Sequence, residues 1–138
     1  LCAQADWLSA SRLPWPLGPA IAIMALDQDI AAIETWAGVP LAHQYRVFLV
    51  SRGGQFVGDF VRFYSADELI ERNECYETKL YCPGFLSIGD DSGGRAVIIN
   101  PQLTPPSVFV VDHGSMSQDD FIVVSESLLD WVNMGCPL

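Results

Sequence analysis

Cys82-Pro83-Gly84-Phe85-Leu86-Ser87-Ile88-Gly89-Asp90-Asp91-Ser92-Gly93-Gly94-Arg95-Ala96-Val97-Ile98-Ile99-Asn100-Pro101 is the stretch that decides the fold. Between two short apolar runs, Phe85 to Ile88 and Ala96 to Ile99, lie the five residues Asp90 to Gly94, made of Asp, Ser and Gly, with Gly89 before them and Arg95 after. Ile, Val and Phe around a short Gly-containing connection predict a β-hairpin. Gly93 and Gly94 tolerate φ > 0, and Asp90 and Asp91 are able to hydrogen-bond to the amides of their own turn. Both arms are apolar at nearly every position, so both faces should be covered. The pair is therefore expected in the middle of a sheet, not at its edge.

Working outward, the N-terminal side reads as helical and then extended. Asp27 is expected to cap a first helix, with Ile30, Ile33 and Ala37 at helical spacing and Gly38 as its stop. A second helix is expected from Ala42 to Arg52, with Leu41, Tyr45, Phe48, Leu49 and Arg52 at the spacing of one inner face and Gly53-Gly54 ending it. Phe56 to Tyr64, interrupted by Gly58-Asp59, reads as two short strands or one bulged strand. Ser65-Ala66-Asp67-Glu68 has the form of a capping box, opening a helix with Leu69 and Ile70 inward and Glu68, Glu71, Arg72 and Glu74 outward. Residues 75–81 are ambiguous.

On the C-terminal side, a proline-containing loop precedes a strand from Val108 to Val111 that ends at Asp112-His113-Gly114. Phe121 to Val124 reads either as a last strand or as the lead-in to a closing helix. Ser125 or Ser127 caps that helix, and Gly135-Cys136-Pro137 stops it. The order of elements predicts an α+β domain, with a mostly antiparallel sheet of about five or six strands flanked by helices. Residues 27–138 form its body. Residues 1–26, with Trp7 and the Pro14-Trp15-Pro16 run, are expected to be an arm packed over that body.

Composition excludes several classes of function. The 138 residues are half hydrophobic and 17% charged, which rules out a disordered chain. No stretch approaches the ~20 uninterrupted apolar residues of a membrane helix. Asp6, Arg12 and the prolines from Pro14 onward spoil a signal-peptide core, so a cytoplasmic location is expected. Leu1 is not a start methionine, which leaves the natural N-terminus open. Seven basic residues against seventeen acidic ones give a formal net charge of −10. Such a chain is no direct ligand for nucleic acid, whereas a basic protein would be steered towards it. Cys2, Cys75, Cys82 and Cys136 lack zinc spacing, and free thiols in a reducing compartment are expected.

Asp91-Ser92-Gly93-Gly94 is similar to the box around the nucleophile of chymotrypsin-like proteases. That chemistry needs a base about 3 Å from the hydroxyl, and nothing marks His43 as facing Ser92. The chain is also too short for two barrels. Asp90, Asp91 and Asp112 could converge on a hard cation, but no calcium loop is present, and turn formation explains them more simply. No cofactor motif is found, so neither cofactor nor metal is expected.

Taken in order, Gly38-Val39-Pro40-Leu41, then Tyr45, Phe48 and Leu49 with Gly53-Gly54, form the first part of a pattern. Pro83-Gly84-Phe85, Ile88 to Gly94, Val108 to His113 and Ser127 to Val132 complete it. Over roughly residues 27–134 this resembles the SUKH superfamily, named partly for a yeast regulator of cell-wall synthesis and widespread in bacteria. Ala42 stands where that family usually has Pro, and Arg52 where Asn commonly precedes the Gly. The resemblance implies a bacterial immunity protein, a non-catalytic monomer or weak homodimer that neutralises a cognate polymorphic toxin, often a nuclease. A regulatory or scaffold module is the alternative, and a small hydrolase working through Ser92, Asp90, Asp91 and Asp112 a more distant one. Under the first reading, Glu68, Glu71, Glu74, Asp90, Asp91, Asp112, Asp119 and Asp120 are the carboxylates expected to dock a basic, nuclease-like partner.

Overall fold

The structure, a computed structural model, describes residues 19–138. The expected arm with Trp7 and Trp15 falls largely outside them. Five helices and six strands follow in the order α1 (Pro19–Ala37), α2 (His43–Arg52), β1 (Phe56–Val57), β2 (Val61–Phe63), α3 (Leu69–Cys75), α4 (Thr78–Tyr81), β3 (Leu86–Asp90), β4 (Arg95–Ile99), β5 (Val108–Asp112), β6 (Ile122–Ser125) and α5 (Leu128–Asn133). A 3-10 turn, Gln118–Asp120, leads into β6.

All six strands pair antiparallel with their neighbours in sequence, giving the spatial order β1-β2-β3-β4-β5-β6. The predicted hairpin is β3–β4, in the middle of the sheet. Its faces alternate with the strand period of two. Val97 and Ile99 enter the main core with Tyr45, Phe48, Phe63 and Trp131, while Ala96 and Ile98 pack on the other face with Val111, Met116, Phe85 and Phe109. That two-sided burial is why both arms read as unbroken apolar runs. At Gly89 the backbone of β2 comes so close that a Cβ would lie 2.4 Å from the Arg62 carbonyl oxygen. Only glycine fits there.

Edge-to-face contacts order the main core: Phe48 meets Phe63 at 4.8 Å between centroids, and Phe63 meets Trp131 at 6.4 Å. Trp131 is fully buried and donates its indole N–H to the Pro137 carbonyl at 3.0 Å. Truncating a residue of this kind costs about 3–5 kcal/mol.

Four local expectations change. Asp27 is not a cap, because α1 is already helical from Pro19 and runs through it. No Pro or Gly lies between residues 20 and 27, so nothing in the sequence breaks the helix before Asp27. Arg52 closes α2 but is exposed and not part of its inner face. The capping box is half formed: the Glu68 carboxylate accepts the Ser65 amide at 3.4 Å, but the Ser65 hydroxyl donates to Asp67 and Glu68 instead of accepting from the helix. The helix consequently starts only at Leu69. Finally, Cys75 is disulfide-bonded, whereas Cys82 and Cys136 are free and buried. The argument from free thiols to a reducing compartment therefore lapses for Cys75. Among the described residues, no helix is long and apolar enough to cross a membrane.

Candidate functional site

The acidic side chains fall into two groups, those held by the protein itself and those left to solvent. Glu68 belongs to the first. Its oxygens receive Nη1 and Nη2 of Arg62, each at 2.8 Å, and its side chain is 16% exposed, which corrects the expectation that it points outward. Burial raises the pKa of this carboxyl, but the hydrogen bonds from Arg62 and Ser65 outweigh that and hold it below the ordinary value. The lone basic residue in the apolar 56–64 run was the sequence signal for this partner. Glu71 on α3 is half-buried and Glu74 exposed, the latter accepting the Trp36 indole N–H at 3.2 Å.

Asp90, Asp91 and Asp112 do gather at one end of the sheet, as expected. Asp90 ends β3, Asp91 opens the turn that follows, and Asp112 pairs with Arg95 across β4–β5. Asp91 is almost fully buried: it accepts the Gly93 and Arg95 amides at 2.8 and 3.0 Å and Arg95 Nε at 2.8 Å. Burial raises its pKa, and these bonds more than reverse the effect. Asp90 accepts the Tyr64 hydroxyl at 3.1 Å and the Ser92 amide at 3.0 Å. Asp112 is exposed. Arg95 already pairs with Asp91, and among the described residues no group of three His, Cys, Asp or Glu is placed to hold a metal ion.

Ser92 lies at the tip of this turn with φ of 62°, and its hydroxyl donates to the Phe60 carbonyl at 2.7 Å. That bond ties the β1–β2 tip to the β3–β4 tip. His43 is exposed on α2 and forms no hydrogen bond with Ser92. The hydroxyl thus closes two hairpins together, and no nucleophilic pair is assembled around it.

Beside this end, His113 stacks flat on Tyr76, with centroids 4.0 Å apart and planes 4° from parallel. Its Nε2 is buried without a hydrogen-bond partner among the described residues. Burial pulls the imidazole pKa down, opposed by the charges of Asp90, Asp91 and Asp112. Arg72 lies over the Tyr64 ring at 5.6 Å.

Asp119 and Asp120 are exposed on the 3-10 turn; Asp120 accepts the Ser115 hydroxyl, and the Asp119 amide is capped by Ser117 Oγ at 3.3 Å. The sequence reading missed the apolar pair that follows them, Ile122 and Val123, both exposed. Their signal was an uncharged apolar run, Phe121 to Val124, directly after two aspartates. Elsewhere a recess of about 240 Å³ is lined by Trp36, Lys79, Pro83, Phe85 and Pro101. Its one ionisable group, Lys79, is occupied: Nζ donates to the Trp36 carbonyl at 2.7 Å and lies 4.7 Å from the centre of that indole ring. What these surfaces offer is charge and shape, with no acid–base pair aimed at a common point.

A family model described as SMI1 / KNR4 family (SUKH-1) matches residues 24–134. No curated protein matches the chain.

Proposed function

Because this chain belongs to the SMI1 / KNR4 family (SUKH-1), we propose that it is an immunity protein, binding and occluding the basic substrate face of a nuclease-type toxin. A net charge of −10, carried by exposed carboxylates, is the observation that carries the reading. A nuclease presents Lys and Arg to phosphates, so an acidic surface competes for the same groups and speeds encounter. Glu74, Asp112, Asp119 and Asp120, with the half-buried Glu71 and Asp90, are the side chains offered for docking. Glu68 and Asp91 add to the field but are held by Arg62 and Arg95. Inhibition then needs only coverage, with no bond made or broken.

The test is co-purification at low salt with the C-terminal domain of a toxin encoded beside this chain's gene. A complex that weakens steeply as salt rises supports the reading. A neighbouring toxin that forms no complex sinks it. The family is named for a regulator, which favours a scaffold module as the second reading. A gene neighbourhood without any toxin, together with a stable complex with a cellular regulator, would point there.

A further inference from the structure

The sheet has two edges, β1 with two residues and β6 with four. An edge strand presents unpaired N–H and C=O groups, and proteins usually blunt it with Lys, Pro or a charged side chain. The sequence of β6 is Ile-Val-Val-Ser, with none of these, and among the described residues no further strand pairs with it. Ile122 and Val123 are 58% and 59% exposed. Being consecutive in a strand, they stand on opposite faces, so both faces are open at this edge. Behind them Val110 lies opposite Ile122 and Phe109 opposite Val123, and the register shifts only beyond this pair, where Val108 meets Ser125 and Val124 is the extra residue.

Charge selects the occupant. Exposed Asp119 and Asp120 lead into β6, exposed Glu126 and Asp130 follow it, and residues 96–138 contain no Lys or Arg. A second copy pairing antiparallel through β6 would set the acidic lead-in of one chain against the acidic lead-out of the other, which is repulsive. A segment carrying positive charge meets carboxylates at both ends instead. We propose that β6 accepts, as a further strand of the sheet, an extended partner segment in which Lys or Arg alternates with β-branched residues. Main-chain hydrogen bonds supply affinity, and the flanking carboxylates supply selectivity. The inference rests on the toxin-binding reading for the identity of the partner, but its geometry is testable without one.

The probe is a blocked peptide of about ten residues alternating Lys with Val and Thr, titrated into the isotope-labelled full chain and read by amide shifts. Shifts confined to residues 119–126 are expected. Affinity should fall about tenfold or more when alternate peptide amides are methylated, and likewise in Val123→Lys, an exposed site where folding is checked by circular dichroism. Ile122→Lys should act in the same way from the other face. Binding elsewhere, no binding, equal affinity for the methylated peptide, or dimerisation of the free chain that Val123→Lys abolishes would each overturn strand addition. A chain that takes the peptide at β6 but ignores its toxin overturns the toxin reading alone. One whose Val123→Lys variant still holds its toxin unchanged overturns strand addition alone.

Discussion

The side chain of Asn73 stands in for a β-strand against Ser87: Nδ2 donates to the Ser87 carbonyl at 2.9 Å, and Oδ1 accepts the Ser87 amide at 2.8 Å. β2 ends at Phe63, and its last link to β3 is the Tyr64 amide on the Ile88 carbonyl at 2.8 Å. One residue further along β3 the ladder has no strand left, and α3 supplies an amide instead. Both residues are fully buried, and Asn73 also donates to the Leu69 carbonyl at 2.9 Å. Asn73→Ala leaves a buried N–H and C=O unpaired and should lower stability by about 2–5 kcal/mol in urea unfolding. Asn73→Asp should do no better, since it loses the donor and buries a charge. A loss under about 1 kcal/mol would mean that water replaces the amide.

The fork between Arg62 and Glu68 is partly buried, at 29% and 16% side-chain exposure. Arg62→Met and Glu68→Gln should each cost about 1–3 kcal/mol, less than for a fully buried pair because solvent screens part of the interaction. The double variant should recover part of the sum, a coupling that chemical denaturation of all four species measures.

Acid should weaken the fold in two stages. His113 has a native pKa below its ordinary 6.5, so the unfolded chain binds the proton more readily. Its contribution is complete above pH 6.5 and declines as pH falls below it. Glu68 and Asp91 are also depressed, from ordinary values of 4.5 and 3.8, so their stabilisation is present above those values and lost as pH falls further. Denaturation midpoints followed from pH 8 downward should show both limbs, and His113→Gln should remove only the first. A midpoint flat between pH 7 and 5 in the parent chain would contradict the buried imidazole.

Burial lifts the thiols of Cys82 and Cys136 to about 11. At pH 8 the thiolate, which is the reactive form, is scarce in both. Iodoacetamide should leave both unlabelled in the folded chain and label both in guanidinium, as mass spectrometry of digests would reveal. Rapid native labelling of Cys82 would place it near solvent.

The parts legible in sequence are those written in local chemistry. The 82–101 hairpin could be read because aliphatics on both arms surround turn-forming residues, and its central place followed from the lack of any polar alternation. One turn detail differed: Ser92, not Gly93, joins Gly94 at positive φ, because Asp91 fixes the turn through the Gly93 and Arg95 amides. Ser127 as a cap and Gly38 as a stop were legible for the same local reasons. Partnerships across the chain were not. Arg62 stood out as the lone basic residue of its run, but its bidentate hold on Glu68 was not legible, and nothing near Asn73 announces Ser87, since each pairing exists only once α3 lies beside the sheet. The edge position of β6 was equally hidden, because an aliphatic run reads alike in the middle of a sheet and at its margin.

Gly58 sits with φ of 68° so close to Gly135 that a Cβ would lie 2.3 Å from the Gly135 carbonyl oxygen. The tip of the first hairpin is thereby latched by the turn after the last helix. During synthesis the first hairpin leaves the ribosome long before that latch exists, so its tip waits for almost the whole domain to emerge. Ribosome-stalled chains ending before Gly135 should accordingly expose the 56–63 hairpin to protease, and full-length release should shut that window.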